Sequence, residues 1–142
     1  MRQWRWWGCL ALTCGILIIG SGTQTLAEES TEAATVGSLD GKVFVGEIGS
    51  KGKEKGDPDE LLFTDGAFRS TACDPYGFGE APYMTAIEGD AVTFEAETLS
   101  PTDGRIAWKG TVHGDALEGI ATWYKPKKTA PEELWFKGSL KQ

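Results

Sequence analysis

The sequence is short of the side chains that most often build metal and redox sites. It contains one histidine, His113, and three cysteines, and two of these, Cys9 and Cys14, lie close to the N-terminus. A single cysteine and a distant histidine cannot supply the ligands of a zinc site. The acidic run 57–60 is interrupted by proline and lacks the ligand spacing of a calcium loop. We therefore predict no metal centre and no cofactor.

Long hydrophobic runs are also lacking. The apolar stretch at residues 8–20 is shorter than the roughly 20 residues that a membrane-spanning helix needs. It follows Arg2 and Arg5 and precedes a small-x-small sequence at 25–27, which is the pattern of a secretory signal peptide. We predict a signal peptide at 1–27, a flexible polar linker at 28–38 and a folded domain at 39–142, in a periplasmic or secreted protein. An uncleaved N-terminal anchor is the alternative.

Positive charge is scarce as well. Cleavage after residue 27 would change the net charge from −7 to −9, because it removes two arginines and no acids. Such a surface repels nucleic acid and anionic lipid. Cys73 would then be the one remaining cysteine, so no internal disulfide could form. We predict no nucleic-acid partner, no stable membrane insertion after cleavage, and a monomer or weak oligomer.

The folded part has no sustained helical period and alternates short β-type runs with turn signals. The two-residue turns Asp65-Gly66, Gly89-Asp90 and Gly114-Asp115 recur at intervals of about two strands. The fold class is therefore all-β, with strands near 42–48, 60–64, 67–72, 82–88, 91–99, 105–113, 116–124 and 133–141. We predict an eight-stranded antiparallel up-and-down meander closed into a small barrel, which leaves no exposed edge strand. A two-sheet β-sandwich is the alternative.

The turns also predict the pairing register. A hairpin closed by Gly114-Asp115 sets Trp108 opposite Ala121, and the preceding strand then sets Phe94 opposite Gly110. A large ring opposite a glycine is a cross-strand pair that suits a real ladder. The predicted inward face is bulky and consists of Phe63, Phe68, Phe94, Trp108, Val112, Trp123, Leu134, Phe136 and Leu140.

The predicted tight turns all lie at one end of the barrel and the longer connections all lie at the other. One pinched and one looped end is the layout of barrels that admit a ligand through the looped mouth. We predict ligand-binding roles for Tyr83, Trp108 and Trp123 beneath that mouth, and for Tyr76 and Phe78 on the loop 73–79 above it. The alternative is that the aromatic rings form a packed core.

Cys73 is a candidate reactive thiol, because it lies alone on a distinctive loop. As a nucleophile it would need a base to lower its pKa. The predicted meander places His113 at the pinched end, roughly 25 Å away. We therefore predict that the protein is not an enzyme, with thiol chemistry at Cys73 as the alternative, and with a buried, inert side chain as the other interpretation of this residue.

The segment 108–123, a Trp-Lys-Gly-Thr-Val strand, a Gly-Asp hairpin and a Gly-Ile-Ala-Thr-Trp strand, resembles the calycin group of lipocalins and avidins. The block 68–79 resembles small uncharacterised exported bacterial proteins. The Gly-x-Trp signature of lipocalins is absent from the first strand, so no site residue carries over. The resemblance implies a lipocalin-like barrel that binds a small apolar or aromatic ligand. A structural or interaction protein of the cell envelope, an assembly factor or an enzyme inhibitor with a filled core, is the alternative.

Overall fold

The computed structural model describes residues 39–142; the predicted signal peptide and the predicted linker lie outside the described residues. The strands are β1 (Val43–Ser50), β2 (Asp57–Thr64), β3 (Ala67–Ser70), β4 (Ala81–Glu88), β5 (Ala91–Ser100), β6 (Gly104–His113), β7 (Ala116–Tyr124) and β8 (Glu132–Leu140). A 3₁₀ helix, Thr71–Tyr76, follows β3. Within 39–142 no helix has the length and apolar character needed to cross a bilayer.

The eight strands pair in chain order and close into a barrel. Each strand is antiparallel to the next, and β8 returns to pair with β1, from Phe44 opposite Leu140 to Ser50 opposite Leu134. The all-β meander barrel predicted from the turn spacing is thus confirmed, and the two-sheet sandwich is wrong. Closure gives every strand a hydrogen-bonding neighbour on both sides over at least part of its length, so that unpaired edge remains only beside the short β3.

The predicted register is also confirmed. Trp108 lies opposite Ala121 across β6 and β7, and Phe94 lies opposite Gly110 across β5 and β6. A shift by one residue would exchange the inner and outer faces of these strands. Trp123 comes two residues after Ala121, the partner of Trp108. It therefore lies on the same inner face as Trp108 and nearer the end of β7.

Three two-residue turns close the pinched end. Asp65 and Gly66 both have positive φ, 50° and 76°, as a type I′ turn requires. Gly89 and Gly114 have φ of 62° and 61° and are each followed by an aspartate of ordinary φ, as in type II′ turns. These turn types match the right-handed twist of the strands. The positive φ that they require explains why glycine occurs in each of these turns in the sequence.

The structure corrects the expected strands around residues 57–76. β2 begins at Asp57 rather than near residue 60, and β3 ends at Ser70, where the chain turns into the 3₁₀ helix instead of continuing to 72. β3 and β4 share only two residue pairs, Ala67 with Pro82 and Phe68 with Ala81. The pairing of β2 with β3 begins only at Leu61, so the earlier residues of β2 pair with β1 alone, and Pro58 removes no ladder bond from a second neighbour.

The interior of the barrel is filled by aromatic rings. The ring of Phe63 lies 5.2 Å from Phe68, 4.9 Å from Tyr83 and 5.0 Å from Phe94, measured between centroids. Such edge-on and tilted contacts are the favoured geometries of aromatic pairs. The fully buried large side chains are Leu39, Phe44, Leu61, Phe63, Phe68, Phe78, Tyr83, Phe94, Ile106, Trp108, Leu117 and Phe136. The middle of the barrel is thus a packed core, and space for a ligand remains only towards its ends.

Candidate binding site at the looped end

A depression of about 530 Å³ opens at the looped end of the barrel. Its floor and walls come from the ends of β1, β2, β7 and β8 and from the 3₁₀ helix. The lining residues are Ile48, Gly49, Ser50, Asp57, Pro58, Ala72, Cys73, Pro75, Tyr76, Phe78, Ile106, Trp123, Lys125, Glu132 and Leu134. The predicted division into a pinched and a looped end therefore corresponds to a real opening.

The 3₁₀ helix lies where the short β3 leaves the barrel wall incomplete. The guanidinium of Arg69 at the end of β3 donates two hydrogen bonds to the Asp74 carboxylate, at 3.0 and 2.6 Å. Gly77, with φ of 81°, ends the helix in the left-handed conformation, and its N–H donates to the Asp74 carbonyl at 2.9 Å. This turn brings Phe78 back over the core, where only 2% of its surface is exposed.

Asp59 holds the start of that helix from below. Its carboxylate accepts hydrogen bonds from Ser70 Oγ at 2.6 Å, the Ala72 N–H at 3.0 Å and Thr71 Oγ1 at 3.3 Å. Burial raises the pKa of the carboxyl above its usual value, and the hydrogen bonds act in the opposite direction without cancelling that effect. The carboxylate thus holds the rim in place, and both of its oxygens already accept hydrogen bonds from the protein.

Cys73 lies on the inner side of the helix and is buried in the core. Its position agrees with the buried, inert interpretation of this residue rather than with the reactive one, because the chain around it is helical and covers the gap beside β3. Burial raises the pKa of the Cys73 thiol to about 11, and the hydrogen bond from Ser70 only partly offsets this rise. The thiol therefore stays protonated near neutral pH and lacks the thiolate character of a nucleophile.

Trp123 forms the aromatic wall of the depression. Its Nε1 donates to the Asp103 carbonyl at 2.7 Å, which fixes the plane of the indole. The rings of Tyr76 and Phe78 meet it at steep angles, with centroids 5.5 and 5.8 Å away. Tyr76 is half exposed, at 50%, and Trp123 is partly exposed. A preformed aromatic surface thus faces the opening.

A charged pair completes the site. The ammonium of Lys125 is ion-paired with the carboxylate of Glu132 and lies 3.9 Å from the centroid of the Trp123 ring. Ser50 Oγ also donates to Glu132, at 3.2 Å. The hydrogen bond from Lys125 lowers the pKa of the Glu132 carboxyl, so it remains a carboxylate across the physiological range. The exposed side chain of Asp57 adds a second acid at the rim.

The structure brings together four of the six residues singled out in the sequence, Cys73, Tyr76, Phe78 and Trp123. Tyr83 and Trp108 do not line this depression. The Tyr83 hydroxyl points to the pinched end, where it donates to Asp40 Oδ1 at 2.6 Å and accepts from the Leu39 N–H at 3.1 Å.

Trp108 lies in the packed middle of the barrel. Its Nε1 donates to Thr98 Oγ1 at 2.9 Å, which satisfies the one polar atom of the indole. The ring contacts Phe68 and Phe136, with centroids 4.9 and 5.4 Å away. Trp108 and Tyr83 are thus part of the packed core, which was the alternative to their predicted ligand-binding roles.

Sequence reasoning missed the charged half of the site. Lys125 follows Trp123 by two residues and comes directly after the end of β7, so alternation continued by one residue places both side chains on one face. Glu132 opens the next strand, but its place beside Lys125 depends on the path of the connection 125–131. The signal for Lys125 was thus present in the sequence, and the signal for Glu132 was not.

Comparison with protein-family models, with curated protein sequences and with solved structures gives no match. Within residues 39–142, no three or more His, Cys, Asp or Glu side chains are arranged to hold a metal ion.

Proposed function

We infer that this protein is an exported, non-enzymatic barrel that binds a small molecule with an aromatic or apolar part at its looped end. The observation that carries this proposal is the depression of about 530 Å³, walled by Trp123 and Tyr76, above an interior that is already filled. Because aromatic rings fill the middle of the barrel, the ligand would rest in the mouth, against Trp123, rather than inside.

The mouth has the general character of a small-molecule site. Its volume lies within the range of roughly 300–1,000 Å³ that is usual for ligand pockets. Its lining is predominantly apolar, with a few polar groups that converge on one side, Ser50, Lys125 and Glu132. Such groups orient a ligand, while the apolar walls supply most of the binding free energy.

Export is supported by the N-terminal sequence, a basic start followed by a short apolar run and a small-x-small site. The calycin-like, lipocalin- or avidin-type assignment is supported by the eight-stranded meander, since barrels of that size hold side chains or one small ligand.

A non-enzymatic role is supported by the chemistry of the two side chains that a thiol mechanism would use. Burial keeps Cys73 protonated, with a pKa of about 11. His113 lies beside the pinched-end turn at Gly114 and faces Asp90 at 3.9 Å, at the opposite end of β6 from the mouth. A base at that end cannot reach the thiol.

The indole N–H groups allow a direct test, since each reports one location. We expect benzyl alcohol, titrated into the ¹⁵N-labelled protein, to move the Trp123 indole signal in ¹H–¹⁵N spectra and to leave that of Trp108 in place. Trp123→Phe assigns the signal. The reason is that a ring entering the mouth would stack against Trp123, while Trp108 is enclosed by the core.

Two tyrosines at the looped end provide the matched variants. Tyr76→Ala removes a wall of the depression and should weaken binding, whereas Tyr124→Ala removes an exposed ring on the outer face and should not. If the probe moves Trp108 and Trp123 equally, or if neither benzyl alcohol nor a charged aromatic probe of the same shape moves the Trp123 signal up to its solubility limit, the mouth is not the binding site.

An interaction protein of the cell envelope is the second candidate, and one observation favours it. Leu99 and Tyr124 lie on the outer face near the looped end, and Leu99 is 63% exposed. The guanidinium of Arg105 stacks on Tyr124 at 3.9 Å, which gives this patch a fixed surface. Exposed apolar and aromatic side chains beside an arginine are typical of contact surfaces between proteins. This second function is favoured if no probe moves the Trp123 indole signal.

A further inference from the structure

The face of Trp123 already holds a cation. Lys125 Nζ lies 3.9 Å from the ring centroid, well within the roughly 6 Å over which an aromatic face attracts a positive charge. Tryptophan is the strongest of the aromatic side chains in this interaction. The indole plane is fixed by the hydrogen bond from Nε1 to the Asp103 carbonyl, so the face keeps its orientation when the cation leaves.

The cation over Trp123 comes with its own counter-charge. The Glu132 carboxylate pairs with Lys125 and accepts from Ser50 at 3.2 Å, and it borders the same depression. Asp57 also lines the depression. The lining residues of the mouth thus carry two carboxylates and one ammonium, and Lys128, on the same connection as Lys125, is close enough to contribute to the lowered pKa of Glu132.

This arrangement discriminates between ligand charges. An anion on the Trp123 face would lie beside the Glu132 carboxylate, and capture of Lys125 by that anion would take away the ion pair of Glu132 and leave it the Ser50 hydrogen bond and the more distant charge of Lys128. An organic cation that replaces the Lys125 ammonium keeps both the cation–π contact and the ion pair with Glu132. The released lysine side chain returns to water and regains rotamer freedom, so its displacement costs little.

We propose that the ligand of the looped mouth carries an organic ammonium group, which takes the place of Lys125 over the ring of Trp123 and pairs with Glu132. The inference depends on the proposed small-molecule function and adds the chemical class of the ligand. Lys125 acts as an internal occupant that covers the face of Trp123 and pairs with Glu132 when no ligand is bound.

Three probes of similar shape and different charge test the proposal. Benzyltrimethylammonium, benzyl alcohol and benzoate are titrated separately, with the Trp123 indole signal as the readout. We expect benzyltrimethylammonium to bind roughly tenfold more tightly than benzyl alcohol, which corresponds to a typical partly desolvated cation–π contact. Benzoate should bind more weakly than either, because Glu132 repels it.

Two variants in the connection 125–131 distinguish the effect of the Lys125 side chain over Trp123 from the general effect of a positive charge near the mouth. Lys125→Ala empties the face of Trp123 and should tighten benzyltrimethylammonium binding several-fold, while the matched control Lys127→Ala removes the same charge from an exposed position and should change it much less. Glu132→Gln should weaken binding of the cation and not that of benzyl alcohol. The unperturbed Trp108 signal confirms that each variant is folded.

The possible outcomes distinguish the two proposals. If benzyl alcohol binds at Trp123 but the ammonium probe binds no more tightly, or if benzoate binds best and Lys125→Ala abolishes its binding, the ammonium inference is wrong and the small-molecule function stands. If none of the three probes moves the Trp123 signal, even in Lys125→Ala, both proposals are wrong.

Discussion

Gly110 on β6 lies directly opposite Phe94 on β5, and a Cβ atom at Gly110 would lie only 2.5 Å from Cε1 of the Phe94 ring. The same Cβ would lie 2.9 Å from Cζ of Phe136, which reaches the position from β8. Two phenyl rings therefore occupy the space that a side chain at Gly110 would need. The pairing of a ring with a glycine across the ladder is a packing requirement of the closed barrel.

Gly110→Val should destabilise the domain by about 1–3 kcal/mol, because overpacking forces the rings of Phe94 and Phe136 out of their positions. Urea unfolding followed by tryptophan emission measures the change in free energy. Gly79→Val is the matched control, since a Cβ at Gly79 meets nothing within 4 Å and its φ is not positive. Equal midpoints for the two variants would contradict the packing described for the inner face.

Tyr83→Phe should loosen the pinched end. The hydroxyl accepts from the buried Leu39 N–H at 3.1 Å and donates to Asp40 Oδ1 at 2.6 Å, and its removal leaves the Leu39 N–H without this partner. An unsatisfied buried donor costs about 1–3 kcal/mol. Urea unfolding measures the loss, and amide hydrogen exchange should accelerate first at Leu39.

The control for this prediction is Tyr124→Phe, which removes a hydroxyl from a partly exposed ring on the outer face. Surface changes of this kind alter stability by less than about 0.5 kcal/mol. If Tyr83→Phe were as mild as Tyr124→Phe, the hydroxyl would not be the group that fastens residues 39 and 40 to the barrel.

Cys73 should react slowly in the folded protein. Burial raises the thiol pKa from 9.0 to about 11, and at pH 8 this lowers the thiolate fraction about a hundredfold. Alkylation by iodoacetamide, quantified at Cys73 by peptide mass spectrometry, should therefore be much slower in buffer than in concentrated urea. In buffer the rate should keep rising with pH up to about 11; a plateau near pH 9 would show that the thiol is exposed.

Local signals in the sequence were strong enough to predict the barrel. Turn pairs such as Gly114-Asp115 require φ values that few residues adopt, and they define where one strand ends and the next begins. Once a turn is placed, strand alternation decides which side chains share a face, as for Trp108 and Trp123. These relationships extend over a few residues along the chain, so the register and the strands that meet at the tight turns could be predicted without knowledge of the fold, whereas the looped-end bounds of β2 and β3 could not.

The candidate site could be predicted only in part, because its members approach from separate connections. Trp123 and Tyr76 were identified, but the sequence also suggested Tyr83, whose hydroxyl points to the other end. The direction of a long side chain inside a barrel depends on which rings fill the middle, and that is a property of packing. Asp59 and Glu132 were missed for the same reason, since their partners come from distant segments.

The sequence by itself determined the strand order, the turn types and the inner face, because each follows from local backbone geometry and alternation. Only the tertiary structure decided that the 3₁₀ helix covers the gap beside β3, that Cys73 is buried beneath it, and that Lys125 rests on Trp123 beside Glu132. Those contacts arise where the barrel closes, and closure is a long-range event that no short stretch of sequence encodes alone.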